Sequence, residues 1–168
     1  RNELLIGTKG LELLKNKRVG ILGIGGVGSF AAESLARSGV GSLVLMDKDD
    51  IDITNVNRQI HATTKTVGCS KVQEMKKRIL DINPNIHLTA INEFLIPERM
   101  EEILTNEKFD YVLDCIDSVS PKLALIRTCK KHKIKLISAM GAGGKSDPSK
   151  VLVRDISKTN NCFLAKQI

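Results

Sequence analysis

The sequence predicts an α/β fold: a mainly parallel sheet with helices on both faces. Three observations predict it. Short apolar runs that read as buried strands alternate with stretches of helical period. A glycine-rich turn, Gly23-Ile24-Gly25-Gly26-Val27-Gly28, separates the first run from the first such helix. The second run closes on an acid, Asp47.

The elements follow in order. Residues 18–25, RVGILGIG, form a buried strand, and 29–39, SFAAESLARSG, a helix with Gly39 just past its end. SLVLMD (42–47) is the second strand. A polar stretch follows, then a helix over 70–84. Ser70 and Gln73 fit a capping box there, and the helix must stop before Asn83-Pro84. HLTAINEF (87–94) alternates like a strand, and Pro97 opens the helical turn of PERMEEILTN. YVLDCID (111–117) is another buried strand, and Ser120-Pro121 reads as the cap and first residue of the next helix. KLISAMGAGG (135–144) is a strand entering a glycine loop, and KVLVRDI (150–156) a last short strand. CFLAKQI is helical.

With 168 residues the chain suits one domain with a sizeable core. It starts at Arg1 without a Met and stops inside a helical pattern, so we expect a single domain over 1–168 cut from a longer chain. No apolar run nears the ~18 residues of a membrane span. No signal-peptide pattern opens the chain, and a cytoplasmic protein is expected. The formal charge of +7 suits an anionic partner such as a nucleotide or RNA. Cys69, Cys115, Cys129 and Cys162 have no C-x-x-C spacing, which argues against a zinc site or a disulfide framework.

Placed between strand and helix, Gly23, Gly25, Gly26 and Gly28 let backbone approach a phosphate at a helix N-terminus. Asp47 can accept hydrogen bonds from ribose hydroxyls. Together they make the fold Rossmann-like and the ligand a nucleotide, without separating NAD from ATP. The polar stretch after Asp47 separates them. A redox site has no use for Asn55, Arg58, Gln59 and then Lys71, whereas extra phosphate charge does. Asp117 ends a strand at the same edge, where a carboxylate among phosphates suits Mg²⁺. Taken singly, each is equally consistent with a solvated surface charge. Together they suit cleavage of a triphosphate, with charge building on leaving pyrophosphate.

The segments GIGGVGS, LMDKDDIDITNVNRQ, VGCSK and LDCIDS resemble the adenylating domain of ubiquitin-activating enzymes and their bacterial relatives in molybdopterin and thiamine synthesis. NRQIHA, VLDCIDSVSPKLALI, GAGG and DISKT are similar to one branch, the tRNA threonylcarbamoyladenosine dehydratases. The resemblance runs from Leu5 to about Thr159.

The resemblance implies ATP and Mg²⁺ as cofactors. Gly23, Gly25, Gly26 and Gly28 would cover the nucleotide, Asp47 bind the ribose, and Asn55, Arg58 and Lys71 contact the phosphates. Asp117 would bind Mg²⁺ or lie against the reacting phosphate. Arg1 stands where relatives carry an arginine that enters the partner subunit's site, which implies a homodimer. The implied reaction adenylates the carboxylate of threonylcarbamoyladenosine beside the tRNA anticodon and cyclises it, releasing pyrophosphate and AMP. The alternative is activation of the C-terminus of a ubiquitin-like sulfur carrier protein. Sulfur-relay proteins are possible partners, with Cys162 a weak candidate sulfur carrier. An NAD-dependent oxidoreductase and a non-catalytic scaffold are further readings that Arg58 and Lys71 speak against. Asp49, Asp50 and Asp52 have no assigned role. The basic run Lys130-Lys131-His132-Lys133 is open between a solvated helix end and a tRNA contact.

Overall fold

The computed structural model describes residues 1–168. Five strands, β1 (Arg18–Leu22), β2 (Ser42–Met46), β3 (His87–Ile91), β4 (Tyr111–Asp114) and β5 (Lys135–Ser138), form one sheet of order β3-β2-β1-β4-β5. Every neighbouring pair is parallel. The chain winds outward from β1 to β3, then returns to the far side of β1 for β4. That reversal between β1 and β4 opens a crevice at the carboxyl ends of the strands, the usual ligand position in such sheets.

Alternate strand residues feed two cores. Val19, Ile21, Leu43 and Leu45 meet Ala32 and Ala36 of α2 (Gly26–Ser38) and Val72, Met75 and Ile79 of α3 (Lys71–Ile82). Leu22, Val44, Met46 and Val112 meet Met100, Ile103 and Leu104 of α4 (Met100–Asn106) and Leu125 and Cys129 of α5 (Val119–Lys131). Because both faces are covered, the central strands read as unbroken apolar runs. Gly39 ends α2 in the left-handed conformation at φ 92°.

Several local expectations are corrected. The chain opens on a helix, α1 (Asn2–Lys15), kinked at Gly7 and with no buried residue. Residues 150–156 form no strand. Residues 151–155 run exposed between two 3₁₀ turns, Pro148–Lys150 and Ile156–Lys158, with no ladder partner beside them. Ser70 precedes α3 but its Oγ caps nothing and is buried without a partner. Backbone pairing starts that helix instead: Lys71 N–H donates to Asp49 O at 3.1 Å and Ile51 N–H to Cys69 O at 2.8 Å. Helix α5 is preceded by Ser118, not Ser120, so Pro121 falls inside its first turn. The final helix, α6 (Phe163–Gln167), is a single short turn and a half.

Candidate active site

The carboxyl edge gathers the glycine loop, the end of β2 and the end of β4. Asp47 follows β2 and is nearly buried. Its Oδ2 accepts Ile24 N–H at 2.7 Å and its Oδ1 accepts Asp49 N–H at 2.9 Å. One carboxylate therefore pins the glycine loop to β2 and still has an unused acceptor site on each oxygen.

The four loop glycines divide into two kinds. A Cβ on Gly28 would lie 1.9 Å from Gly23 O, and one on Gly23 2.7 Å from Cys115 O, with Gly23 at φ +91°. These two exist so that backbone can pass backbone. A Cβ on Gly25 would meet nothing nearer than Gln59 Nε2 at 3.9 Å, and one on Gly26 would touch only Arg58 at 3.6 Å. These two border open space at the first turn of α2, where unpaired N–H groups favour an anion.

The stretch after Asp47 is built from local hydrogen bonds. Asp52 caps a 3₁₀ turn by accepting Thr54 N–H at 2.8 Å, while Asn55 Oδ1 accepts Asp52 N–H at 3.0 Å. This fixes the buried Asn55 amide and leaves its Nδ2 donors without a protein acceptor. Arg58 is exposed. Its stem lies over Gly26 and its Nη1 donates to Thr54 O and Asn57 Oδ1, both at 2.9 Å. Ile60 N–H donates to the buried Ser29 Oγ at 3.3 Å, tying this stretch to α2. Lys71, only 7% exposed, donates from Nζ to Asp49 Oδ2 at 2.9 Å. Burial pushes the Asp49 carboxyl up, but hydrogen bonds and charge from Lys71 and Lys48 outweigh it and hold it below the usual value. Asp49 and Asp52 thus have the structural tasks that the sequence left unassigned.

Asp117 is exposed just beyond β4. The turn leading to it abuts the glycine loop through Cys115, whose N–H donates to Leu22 O at 2.8 Å. No cluster of three or more His, Cys, Asp or Glu surrounds it. Mg²⁺ typically needs only one or two carboxylates plus phosphate and water oxygens, so this donor set fits a nucleotide-borne ion and not a protein-only cage.

Arg1 is elsewhere. Asn2 Nδ2 donates to Arg37 O at 3.4 Å, at the end of α2 opposite the glycines. The 13 residues of α2 separate the two ends by roughly 20 Å, so Arg1 does not reach its own chain's site. The basic run also lies at the amino edge, where Lys131 and His132 both contact Glu101. Among the thiols, burial pushes Cys115 and Cys129 up to about 11, which removes them as nucleophiles at neutral pH. Cys162 is held below the ordinary thiol value by Ala165 N–H at 3.4 Å.

Two buried features escaped the sequence. Lys122 is fully buried and donates from Nζ to Asp114 Oδ2 at 2.7 Å and Ala139 O at 2.9 Å. His61 is 4% exposed, neither ring nitrogen has a partner, and burial followed by the charge of Lys71 pushes it down to about 4. A lone lysine in a helix and a lone histidine in a polar stretch carry no periodic signal that separates them from solvated residues.

A Rossmann-like domain whose glycine loop faces open space beside Arg58 has the build of a nucleotide-binding protein. The model of the ThiF family matches residues 1–167, and the chain belongs to that family. It is 53% identical over its full length to the tRNA threonylcarbamoyladenosine dehydratase of Bacillus subtilis, covering 66% of that protein. It is 45% identical over 98% of its length to the Escherichia coli dehydratase, covering 61% of that protein. The crystal structure of the E. coli tRNA N6-threonylcarbamoyladenosine dehydratase in complex with ATP superposes with TM-score 0.96 at 43% identity, over 99% of this chain and 68% of that one. The same enzyme has been solved in complex with AMP. The chain thus spans just under two thirds of the curated relatives.

Proposed function

We propose that this chain is the ATP-binding adenylating domain of a tRNA threonylcarbamoyladenosine dehydratase. The observation that carries the reading is the meeting of two sequence-distant segments: the stem of Arg58 lies against Gly26 of the phosphate loop. It sets a guanidinium, with the Asn55 amide close by in the same turn, beside a helix N-terminus. The E. coli relative crystallised with ATP and with AMP supports both the substrate and the leaving group.

In this reading the free acceptor sites of Asp47 take the ribose. The loop N–H groups, Asn55 Nδ2, Arg58 and Lys71 take the phosphates. The substrate carboxylate attacks the α-phosphorus, its oxygen forming a new P–O bond as the bond to pyrophosphate breaks. Charge that builds on the leaving oxygens is met by Arg58 and Lys71, already in place before the step. An atom of the same threonylcarbamoyl group then attacks the activated carbonyl, the ring closes and AMP leaves. Positioning does most of the work, and no protein nucleophile is needed. Asp117 would hold Mg²⁺ against the phosphates, and the ion would neutralise part of their charge. The position of Arg1, far from its own loop, is compatible with a homodimer in which it enters the partner's site. tRNA is the macromolecular substrate and the setting is the cytoplasm.

ATP–pyrophosphate exchange by the full-length protein tests the reading. Three conditions suffice: tRNA bearing the linear modification, a ubiquitin-like carrier protein, and neither. Exchange that depends on the tRNA is expected. Exchange only with the carrier protein replaces this reading with carrier activation.

A further inference from the structure

The sheet's carboxyl edge carries a buried charge pair with no contact to any proposed ligand position. Asp114 is the last residue of β4, Ser138 the last of β5, and the two are register partners. Lys122 rises from the first turn of α5 and ends between them. Both charged side chains are wholly inaccessible. The lysine Nζ donates to Asp114 Oδ2 at 2.7 Å, to Ala139 O at 2.9 Å and to Ser138 Oγ at 3.3 Å, and the serine hydroxyl donates back to Asp114. Two charges taken out of water are not an economical way to fill a core, since apolar residues of equal volume do as well or better. What the pair supplies is a fixed geometry.

That geometry points at the site. Asp114 Oδ1, the oxygen not used by Lys122, accepts Ile116 N–H at 3.1 Å. Asp114 O accepts Ala139 N–H at 2.8 Å. The carboxylate therefore holds the turn 115–117 from below, one residue before Asp117, while the same turn presses Cys115 O against Gly23. We infer that Asp114, Lys122 and Ser138 are positioning residues that set the Asp117 turn against the phosphate loop. The inference rests on the reading that Asp117 acts at the reacting phosphates.

The test compares four proteins at full length: wild type, Asp117→Asn, the double variant Asp114→Asn/Lys122→Met, and Ser138→Ala. The double variant removes both charges together, so neither is left buried alone. Two readouts are taken. One is ATP–pyrophosphate exchange, with kcat and the KM for ATP measured separately. The other is hydrogen exchange of the Ile116 amide. In the double variant we expect the KM for ATP to stay within about threefold, because the ribose and loop contacts come from β1 and β2. We expect kcat to fall by at least about tenfold, the scale of a small misplacement of reacting groups, and Ile116 protection to fall with it. Ser138→Ala moves both readouts in the same direction by less, and it decides the matter if the double variant does not fold. Wild-type kcat and protection in whichever of these two variants folds, beside an impaired Asp117→Asn, overturn the inference alone. Full activity in Asp117→Asn overturns it together with the reading beneath it.

Discussion

Replacing Gly28 with alanine is the sharpest test of how the phosphate loop is made. The added methyl would sit 1.9 Å from Gly23 O, a backbone atom of the same loop. Ordinary contact needs about 3.4 Å, so the loop must open by roughly 1.5 Å; overpacking of this kind costs about 1–3 kcal/mol. In a domain of this size each kcal/mol lowers Tm by about 2–4 °C, so a fall of roughly 2–12 °C is expected. The loop cannot move without the ligand noticing. A shift near 1 Å at a positioned group costs on the order of 10²-fold in rate. We expect ATP affinity, measured by calorimetry, to fall at least about thirtyfold, which is about 2 kcal/mol. Gly26→Ala is the matched control. Its methyl would meet the Arg58 stem at 3.6 Å and the Arg58 carbonyl at 3.7 Å, both ordinary contacts, and alanine is the better helix former, so Tm should hold or rise. A Gly28→Ala protein that keeps both its Tm and its ATP affinity would refute the close-approach account of the loop.

Other outcomes are equally checkable. Arg58→Ala and Lys71→Ala should each lower exchange turnover by about 10²-fold or more; near-normal rates in both would remove them from the phosphates. His61 is a base pushed down to about 4 in the folded chain from 6.5. Between those values the unfolded chain binds the extra proton, so stability falls as pH drops from about 6.5 toward 4, by up to about 3 kcal/mol. His61→Leu should remove that acid loss from the Tm–pH curve and, with two unpartnered nitrogens gone, stabilise the fold at pH 5; an unchanged slope contradicts it. Because Asp117 belongs to no cluster of three or more metal-ligating side chains, Mg²⁺ should bind the protein weakly in calorimetry without nucleotide and well with it. Chelation should abolish exchange, and restored Mg²⁺ should return it.

The strands were legible because their cause is local and strong. A central parallel strand is covered on both faces, so VGIL and LVLM are apolar at every position. Gly39 and Asn83-Pro84 were legible as helix stops because left-handed backbone and the residue before proline narrow the choices. What escaped the sequence depends on partners that lie far along the chain. Residues 150–156 have strand composition but no neighbouring strand, and strand preference expresses packing more than backbone. Helix α1 has no fully buried residue although Leu4, Leu5, Ile6 and Leu13 are apolar, and Gly7 and Gly10 interrupt its period. Ser118 and Ser120 are chemically identical caps, and only the packed position of α5 chooses between them. The site was legible in composition but not in geometry. Arg58 and Lys71 were visible as cations, whereas their anchors, Gly26 and Asp49, emerge only once the edge is assembled.

The acids after Asp47 explain why this polar stretch is so rich in carboxylates. Three of the four, Asp50 excepted, hold a donor in place: Asp47 the amide of Ile24, Asp49 the ammonium of Lys71, and Asp52 the turn that orients Asn55. A nearly buried lysine would be costly to leave alone, and its partner carboxylate is itself about half exposed. The carboxylate can therefore swing toward solvent once an incoming anion takes its place beside the ammonium. An arriving triphosphate competes with Asp49 for Lys71, so part of its binding energy goes to exchanging one anion for another. On this account Lys71 is held ready without being committed, and binding is weaker than the cations alone would allow. That favours release of pyrophosphate after the step. Asp49→Asn should accordingly tighten pyrophosphate binding and slow its release. A variant whose pyrophosphate affinity is unchanged would show that Asp49 merely positions the lysine and does not compete for it.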